Sequence, residues 1–148
     1  MKPGKGEETA LLLYTDGASR GNPGPSAWAY ILLDESLNLI EERAGSIGRG
    51  TNNEAEYHGL IEGLRAAVSH EALWLSVFSD SELVIRQMNG KYRVVSPRLI
   101  PLYREATSVS GRFRKIEFNS VSRDQPFIAK ADQLCNAVLD RERDEHEK

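Results

Sequence analysis

Residues Ala10 to Thr15 form an almost unbroken apolar run, Ala-Leu-Leu-Leu-Tyr-Thr, that ends on Asp16. Such a run without polar alternation is expected of a strand buried on both faces, so the rest of the chain must supply layers that cover it. Gly17 to Pro25 then carries three Gly, two Pro and Asn22, which predicts a turn beginning at Gly17. Ala27 to Asp34, with Trp28, Tyr30 and Ile31, predicts a second strand, and Leu37 to Ile47 a third beyond a short polar break.

Thr51-Asn-Asn-Glu54 has the form of a capping box, in which a hydroxyl and a glutamate satisfy orphan amides at a helix start. Apolar residues at Tyr57, Leu60, Ile61, Leu64, Ala67 and Val68 recur with helical spacing, which predicts a helix ending near His70. Leu73 to Phe78 has strand length, and Leu83 to Met88 a short helix stopped by Asn89-Gly90. Helices over Arg98 to Ser110 and Ala129 to Asp140 flank a fifth strand at Phe113 to Val121. The class is therefore α/β, one mixed sheet with helices packed on it. At 148 residues the chain is expected to be a single domain over 1–148, with an ordered core over about 9–140 and charged termini that fray.

Charge and cysteine content narrow the functions. The formal net charge is −3, so any affinity for a polyanion must be local. Cys135 is the only cysteine, no internal disulfide can form, and the first residues lack the apolar run of a secretory signal. A reducing cytoplasm is the expected location, and no stretch approaches the roughly 18 apolar residues of a membrane span, so no membrane role is expected.

Four acids stand out. Asp16 follows a buried strand, where α/β folds place functional side chains, although Asp-Gly is also a common hairpin turn. Asp80 repeats the pattern after Leu75-Ser-Val-Phe78, with a helix cap as the alternative. Glu56 lies about 40° around the helix from Leu60, at the border of the apolar stripe, whereas Glu54 belongs to the cap. Asp132 lies about 20° from Leu139 on the last helix, and could equally be an ordinary first-turn aspartate. Crowding such carboxylates together at neutral pH requires cations. Oxygen-only ligation suits Mg2+ or Mn2+, which leave positions open for phosphate oxygens. No His/Cys cluster suggests zinc, no phosphate-binding Gly-x-x-x-x-Gly-Lys-Ser/Thr loop is present, and Ser19, Ser79 and Ser81 lack a histidine base.

Four blocks in order, Tyr14-Thr-Asp-Gly-Ala-Ser-Arg-Gly-Asn-Pro-Gly-Pro25, Thr51-Asn-Asn-Glu-Ala-Glu-Tyr57, Phe78-Ser-Asp-Ser-Glu-Leu-Val84 and Ala131-Asp-Gln-Leu-Cys-Asn136, resemble the bacterial and archaeal type 1 ribonuclease H family. The resemblance implies a ribonuclease H-like fold, a five-stranded mixed sheet with its first three strands antiparallel. It implies Asp16, Glu56, Asp80 and Asp132 as catalytic, metal-binding carboxylates that hold two Mg2+ or Mn2+ ions with substrate. The implied reaction is in-line hydrolysis of the RNA strand of an RNA–DNA hybrid, leaving 3′-hydroxyl and 5′-phosphate ends. Asn22 and Asn52 match minor-groove contacts, and Arg49 and Thr51 match positions holding a DNA-strand phosphate. A monomer needing no protein partner is expected.

The chain departs from its relatives in two places. Where many carry a loop histidine, this sequence has Ser122, Arg123 and Asp124, which gives the loop role to Arg123, since His58 and His70 lie on or end a different helix. The basic handle of some relatives is replaced by Asn89 to Pro97, in which Lys91 and Arg93, with Arg98 beyond, either neutralise phosphates or form a solvated loop. Trp28 and Trp74 read as core rather than as base-stacking platforms. The altered loop keeps a catalytically silent hybrid-binding module of the same fold as the alternative, and a resolvase or exonuclease of the superfamily as a third reading.

Overall fold

The computed structural model describes residues 9–146, so the expectations about a leader and about fraying at residues 1–8 and 147–148 lie outside the described residues. The elements run β1 (Ala10–Ser19), β2 (Gly24–Asp34), β3 (Leu39–Gly50), α1 (Asn52–Ser69), β4 (Trp74–Ser79), α2 (Glu82–Met88), α3 (Ile100–Ser110), β5 (Lys115–Ser120) and α4 (Pro126–His146). The five strands form one sheet in the order β3-β2-β1-β4-β5, with β1–β2 and β2–β3 antiparallel and β1–β4 and β4–β5 parallel. This is the expected mixed sheet with its first three strands antiparallel.

Alternation along the two central strands divides the core. Leu11 and Leu13 of β1 join Trp28, Tyr30 and Leu32 of β2 under Tyr57, Leu60, Ile61 and Leu64 of α1, with Val84 of α2 and Ala106 of α3 completing that layer. Tyr14 of β1 and Ala27, Ala29, Ile31 and Leu33 of β2 face the opposite way, beneath Ile128, Ala131, Cys135, Val138 and Leu139 of α4. The period-2 pattern of a strand thus feeds two separate cores, which is why β1 reads as continuously apolar. Among the described residues no helix is long and apolar enough to cross a membrane.

Several boundaries differ from the sequence expectation. β1 does not stop at Asp16: it continues through Gly17 to Ser19, and Gly17 pairs with Trp28 in the middle of the ladder. Gly17 is there for packing, since a Cβ on it would lie 2.3 Å from the α1 backbone at Ala55 and Glu56. A Cβ on Gly59 of α1 would likewise lie 2.6 Å from the Asp16 carbonyl oxygen. Strand and helix therefore meet backbone to backbone, and the turn occupies residues 20–23. Leu37 sits in the β2–β3 turn at φ 68 rather than in a strand. The last helix begins at Pro126, where proline suits the first turn, and extends to His146, beyond the expected end at Asp140. Gln125 caps it, its Oε1 accepting from the amides of Phe127 (2.7 Å) and Ile128 (3.0 Å). Trp28 is core, but Trp74 is 39% exposed at the sheet's end, its ring beneath the Lys115 ammonium.

The glycine contact predicts that Gly17→Ala forces α1 off β1 at a cost of about 3 kcal/mol. Equilibrium denaturation measures this, and wild-type stability in that variant would show that the close approach is wrong.

Candidate active site

The parallel pairing of β1 with β4 ends at Tyr14 and Phe78. Asp16 and Asp80 each lie two residues further on, where the strands no longer share a ladder and a gap opens between them. Just before the gap Tyr14 stacks on Phe78, ring centroids 4.7 Å apart, and leans on Phe127 at 5.0 Å, tying both strand ends to the start of α4. The strand ends contribute two of the four carboxylates and the helix layers on either side one each. Glu56 enters from α1, which lies against β1 where Gly17 meets the Ala55–Glu56 backbone and Gly59 the Asp16 carbonyl. Asp132 comes from α4, and Asp80 from the β4–α2 junction.

Ser81 rather than Asp80 caps α2, its hydroxyl accepting from the Val84 amide at 3.3 Å, so the Asp80 carboxylate is not used as a cap. Asp16 is not a hairpin-turn residue, because it pairs with Ala29 mid-strand. The α1 capping box is formed as expected: Thr51 Oγ1 accepts from the Glu54 amide (3.2 Å) and Glu54 Oε1 from the Thr51 amide (2.9 Å). Glu54 is thereby occupied at the helix start while Glu56, only 6% exposed, turns inward.

Carboxylate oxygens of Asp16, Glu56 and Asp80 lie within 4.8 Å of one another. Asp132 is outside this tight group but lines the same cleft, a cavity of about 370 Å³ that also touches Ser19, Asn52, Ser81 and Arg123. Burial, then the charges of Asp80 and Asp132, push the Asp16 carboxyl up to about 8. Burial and the Asp16 charge raise Glu56 well above the usual carboxylate range. Asp80 is raised by burial and by Asp132, with the Arg123 guanidinium opposing the rise. Glu56 Oε1 and Asp80 Oδ1 are buried without a hydrogen-bond partner among the described residues. An orphan carboxylate oxygen in such surroundings is costly, and a cluster of hard oxygen donors is what a divalent cation of the Mg2+ or Mn2+ type requires. The donor set fits such ions.

The remaining candidates fall in different places. Asn22 Oδ1 accepts from the Asn52 amide at 3.0 Å, so these two asparagines adjoin at the rim of the carboxylate cleft, beside Thr51. Arg49 is not with them: it lines a second cleft of about 520 Å³ with Arg20, Arg143 and His146, between the β1–β2 turn and the end of α4. Arg98 stands exposed in a turn, as the solvated-loop alternative expects, and pairs with Glu54 at 3.1 Å, while the exposed Lys91 and Arg93 line a groove with Tyr92, Tyr103 and Arg104. Sequence reasoning missed Asn136, whose Nδ2 donates to Asp132 Oδ2 at 3.3 Å, and Gln125, which sets the start of α4. The i, i+4 spacing from Asp132 was the available signal for Asn136; for Gln125 it was the Gln-Pro pair at a helix start.

Since Asp16 holds its proton to a higher pH when folded than when unfolded, its contribution to stability is fully present below about pH 4 and lost as pH rises through about 8. Glu56 acts with the same sign. Metal-free protein should therefore lose stability across that window. Asp16→Asn should make it more stable at pH 8 by on the order of a few kcal/mol, and millimolar Mn2+ should flatten the wild-type profile. Thermal melts against pH measure all three, and a stability that rises from pH 5 to 8 without metal would refute the crowding.

Comparison with known proteins places this geometry. A family model described as reverse transcriptase-like matches residues 14–138. Ribonuclease HI of Halobacterium salinarum is 36% identical over 127 residues, covering 86% of this chain and 63% of that protein. The bifunctional protein Rv2228c of Mycobacterium tuberculosis is 41% identical over 132 residues, covering 88% of this chain but 35% of its own length. The chain thus spans between about a third and two-thirds of these curated relatives. The solved N-terminal RNase H domain of Rv2228c superposes with a TM-score of 0.89 at 36% identity, covering 94% of this chain and 99% of that one. LC11-RNase H1, solved in complex with an RNA/DNA hybrid, superposes with a TM-score of 0.83 at 33% identity, over 88% of this chain and 97% of its own. By sequence and by fold alike, the chain belongs to the type 1 ribonuclease H family.

Proposed function

We propose that this chain is an endonuclease that hydrolyses the RNA strand of RNA–DNA hybrids, with Asp16, Glu56, Asp80 and Asp132 as its metal-binding carboxylates. The observation that carries the reading is the pair of buried, unpartnered oxygens, Glu56 Oε1 and Asp80 Oδ1, in a cleft shared by all four acids. Among the described residues no hydrogen-bond donor satisfies them, so a cation is the natural counterpart. The RNA/DNA hybrid bound by the LC11 relative supports the substrate class.

Two Mg2+ or Mn2+ ions held there would supply charge neutralisation and an activated water for in-line displacement, leaving 3′-hydroxyl and 5′-phosphate ends. The protein's own groups do the positioning. Asn22 and Asn52 stand together at the cleft rim, suited to read ribose 2′-hydroxyls across the hybrid's minor groove. Thr51 uses its hydroxyl oxygen as an acceptor in the cap, which leaves the hydroxyl proton for a phosphate oxygen. Arg49, exposed at the end of β3, lies further out and is suited to a phosphate along the strand rather than at the scissile bond. Arg123 brings a positive charge beside Asp80 and takes the loop role that histidine holds in other relatives, steadying negative charge as products form. The reading includes a cytoplasmic monomer needing no protein partner, in keeping with the lone, buried Cys135.

A gel assay on labelled hybrid tests the proposal. RNA-strand cleavage should require Mg2+ or Mn2+, spare duplex DNA, and fall by about 10³-fold or more in Asp80→Asn, the loss of several kcal/mol of charge stabilisation. Hybrid binding without cleavage under every metal would establish a silent binding module instead, and equal cleavage of branched or duplex DNA a different nuclease.

A further inference from the structure

The β1–β2 turn touches two helices at once. Asn22 reaches the first amide of α1, while Arg20 reaches across to α4. Arg20 Nη2 donates to Asp140 Oδ1 at 2.6 Å, to Asn136 Oδ1 at 3.3 Å and, at 3.5 Å, to the Asn136 carbonyl. Asn136 in turn donates from Nδ2 to the Asp132 carboxylate at 3.3 Å and to the Asp132 carbonyl at 3.1 Å. The turn bearing Arg20 is itself closed, by the Arg20 amide donating to the Pro25 carbonyl at 2.8 Å and by Ser26 Oγ donating to Ser19 Oγ at 2.9 Å.

We propose that Arg20 is a positioning residue for Asp132, acting through Asn136. A guanidinium has donors only and an ionised carboxylate acceptors only. An amide held between them must present its oxygen to the first and its NH2 to the second, because the flipped amide would oppose like to like at both ends. Arg20 therefore fixes which end of Asn136 faces Asp132, and Asn136 fixes the carboxylate rotamer. Asp132 is the acid that needs this help: Asp16, Glu56 and Asp80 already form the tight group, whereas Asp132 stands apart on a half-buried stretch of α4. The Arg20–Asp140 ion pair is itself exposed, 36% and 50% for the two side chains, so it contributes little stability and its effect is one of orientation. Arg20 lines the outer cleft and not the carboxylate cleft, which separates it from direct contact with the reacting phosphate. Outer partners that orient a ligand commonly govern metal affinity nearly as strongly as the ligand does.

The inference rests on Asp132 being a metal ligand, and calorimetric titration with Mn2+ alone separates the two. Arg20→Met keeps the unbranched stem and removes the donors; Asn136→Ala removes the relay. Each should weaken Mn2+ binding by about tenfold, and the double variant should be no weaker than Asn136→Ala, as expected for two residues acting in series. Arg20→Lys, a donor-only cation, should regain part of the affinity. The Asn136 side-chain amide resonance should shift in Arg20→Met while the melting temperature stays within a few degrees, about what an exposed pair allows. Unchanged Mn2+ affinity in Arg20→Met, or effects that multiply in the double variant, overturns the proposal. So does weaker hybrid binding in Ca2+ with Mn2+ affinity intact, which would make Arg20 a substrate contact. A wild type that binds no Mn2+ sinks the metal reading itself.

Discussion

Bringing Asp16, Glu56 and Asp80 within 4.8 Å of one another costs free energy that has to be recovered elsewhere in the molecule. Two separate cores, one under α1 and one under α4, hold the strands and helices in place against that repulsion. Neither core alone would do so, because the acids arrive from both sides of the sheet. The raised carboxyls are the residue of this conflict: without a cation the cleft lowers its charge by holding protons.

The same constraint explains why the site lies where it does. Along β1 a parallel neighbour on one side and an antiparallel one on the other keep the backbone fully paired up to Tyr14. Past that point β1 continues with β2 while β4 turns away into α2. The opening is a product of topology, and it is the place where side chains of three layers can meet without an intervening strand.

Much of this was legible in the sequence, and for identifiable reasons. Helical periodicity alone separates Glu54 from Glu56, and the capping box at Thr51 fixes the phase of α1. The apolar run at β1 announces a strand covered on both sides. What stayed illegible depends on contacts between distant segments. Gly17 looks like a turn residue until α1 is known to press on it. Arg49 looks like a neighbour of Thr51 and Asn52 by numbering, yet lines a different cleft. Asp80 and Ser81 are both acceptable caps on chemical grounds, and it is Ser81 that takes that place in the fold. Trp74, in an apolar run of strand length, emerges at the sheet's end because β4 starts there.

The seam where Gly17 and Gly59 let β1 and α1 touch bears on how such a protein can change. It seals the principal core and sets the distance from Glu56 to Asp16 in one contact, so a substitution that retunes the spacing of the acids also loosens the scaffold. Mutational paths through this seam cross poorly folded intermediates. Tolerated variation is channelled outward, to the segments at 89–99 and 121–125, which form no part of that contact; inherited novelty in how the cleft is served should accumulate there while its geometry stands still.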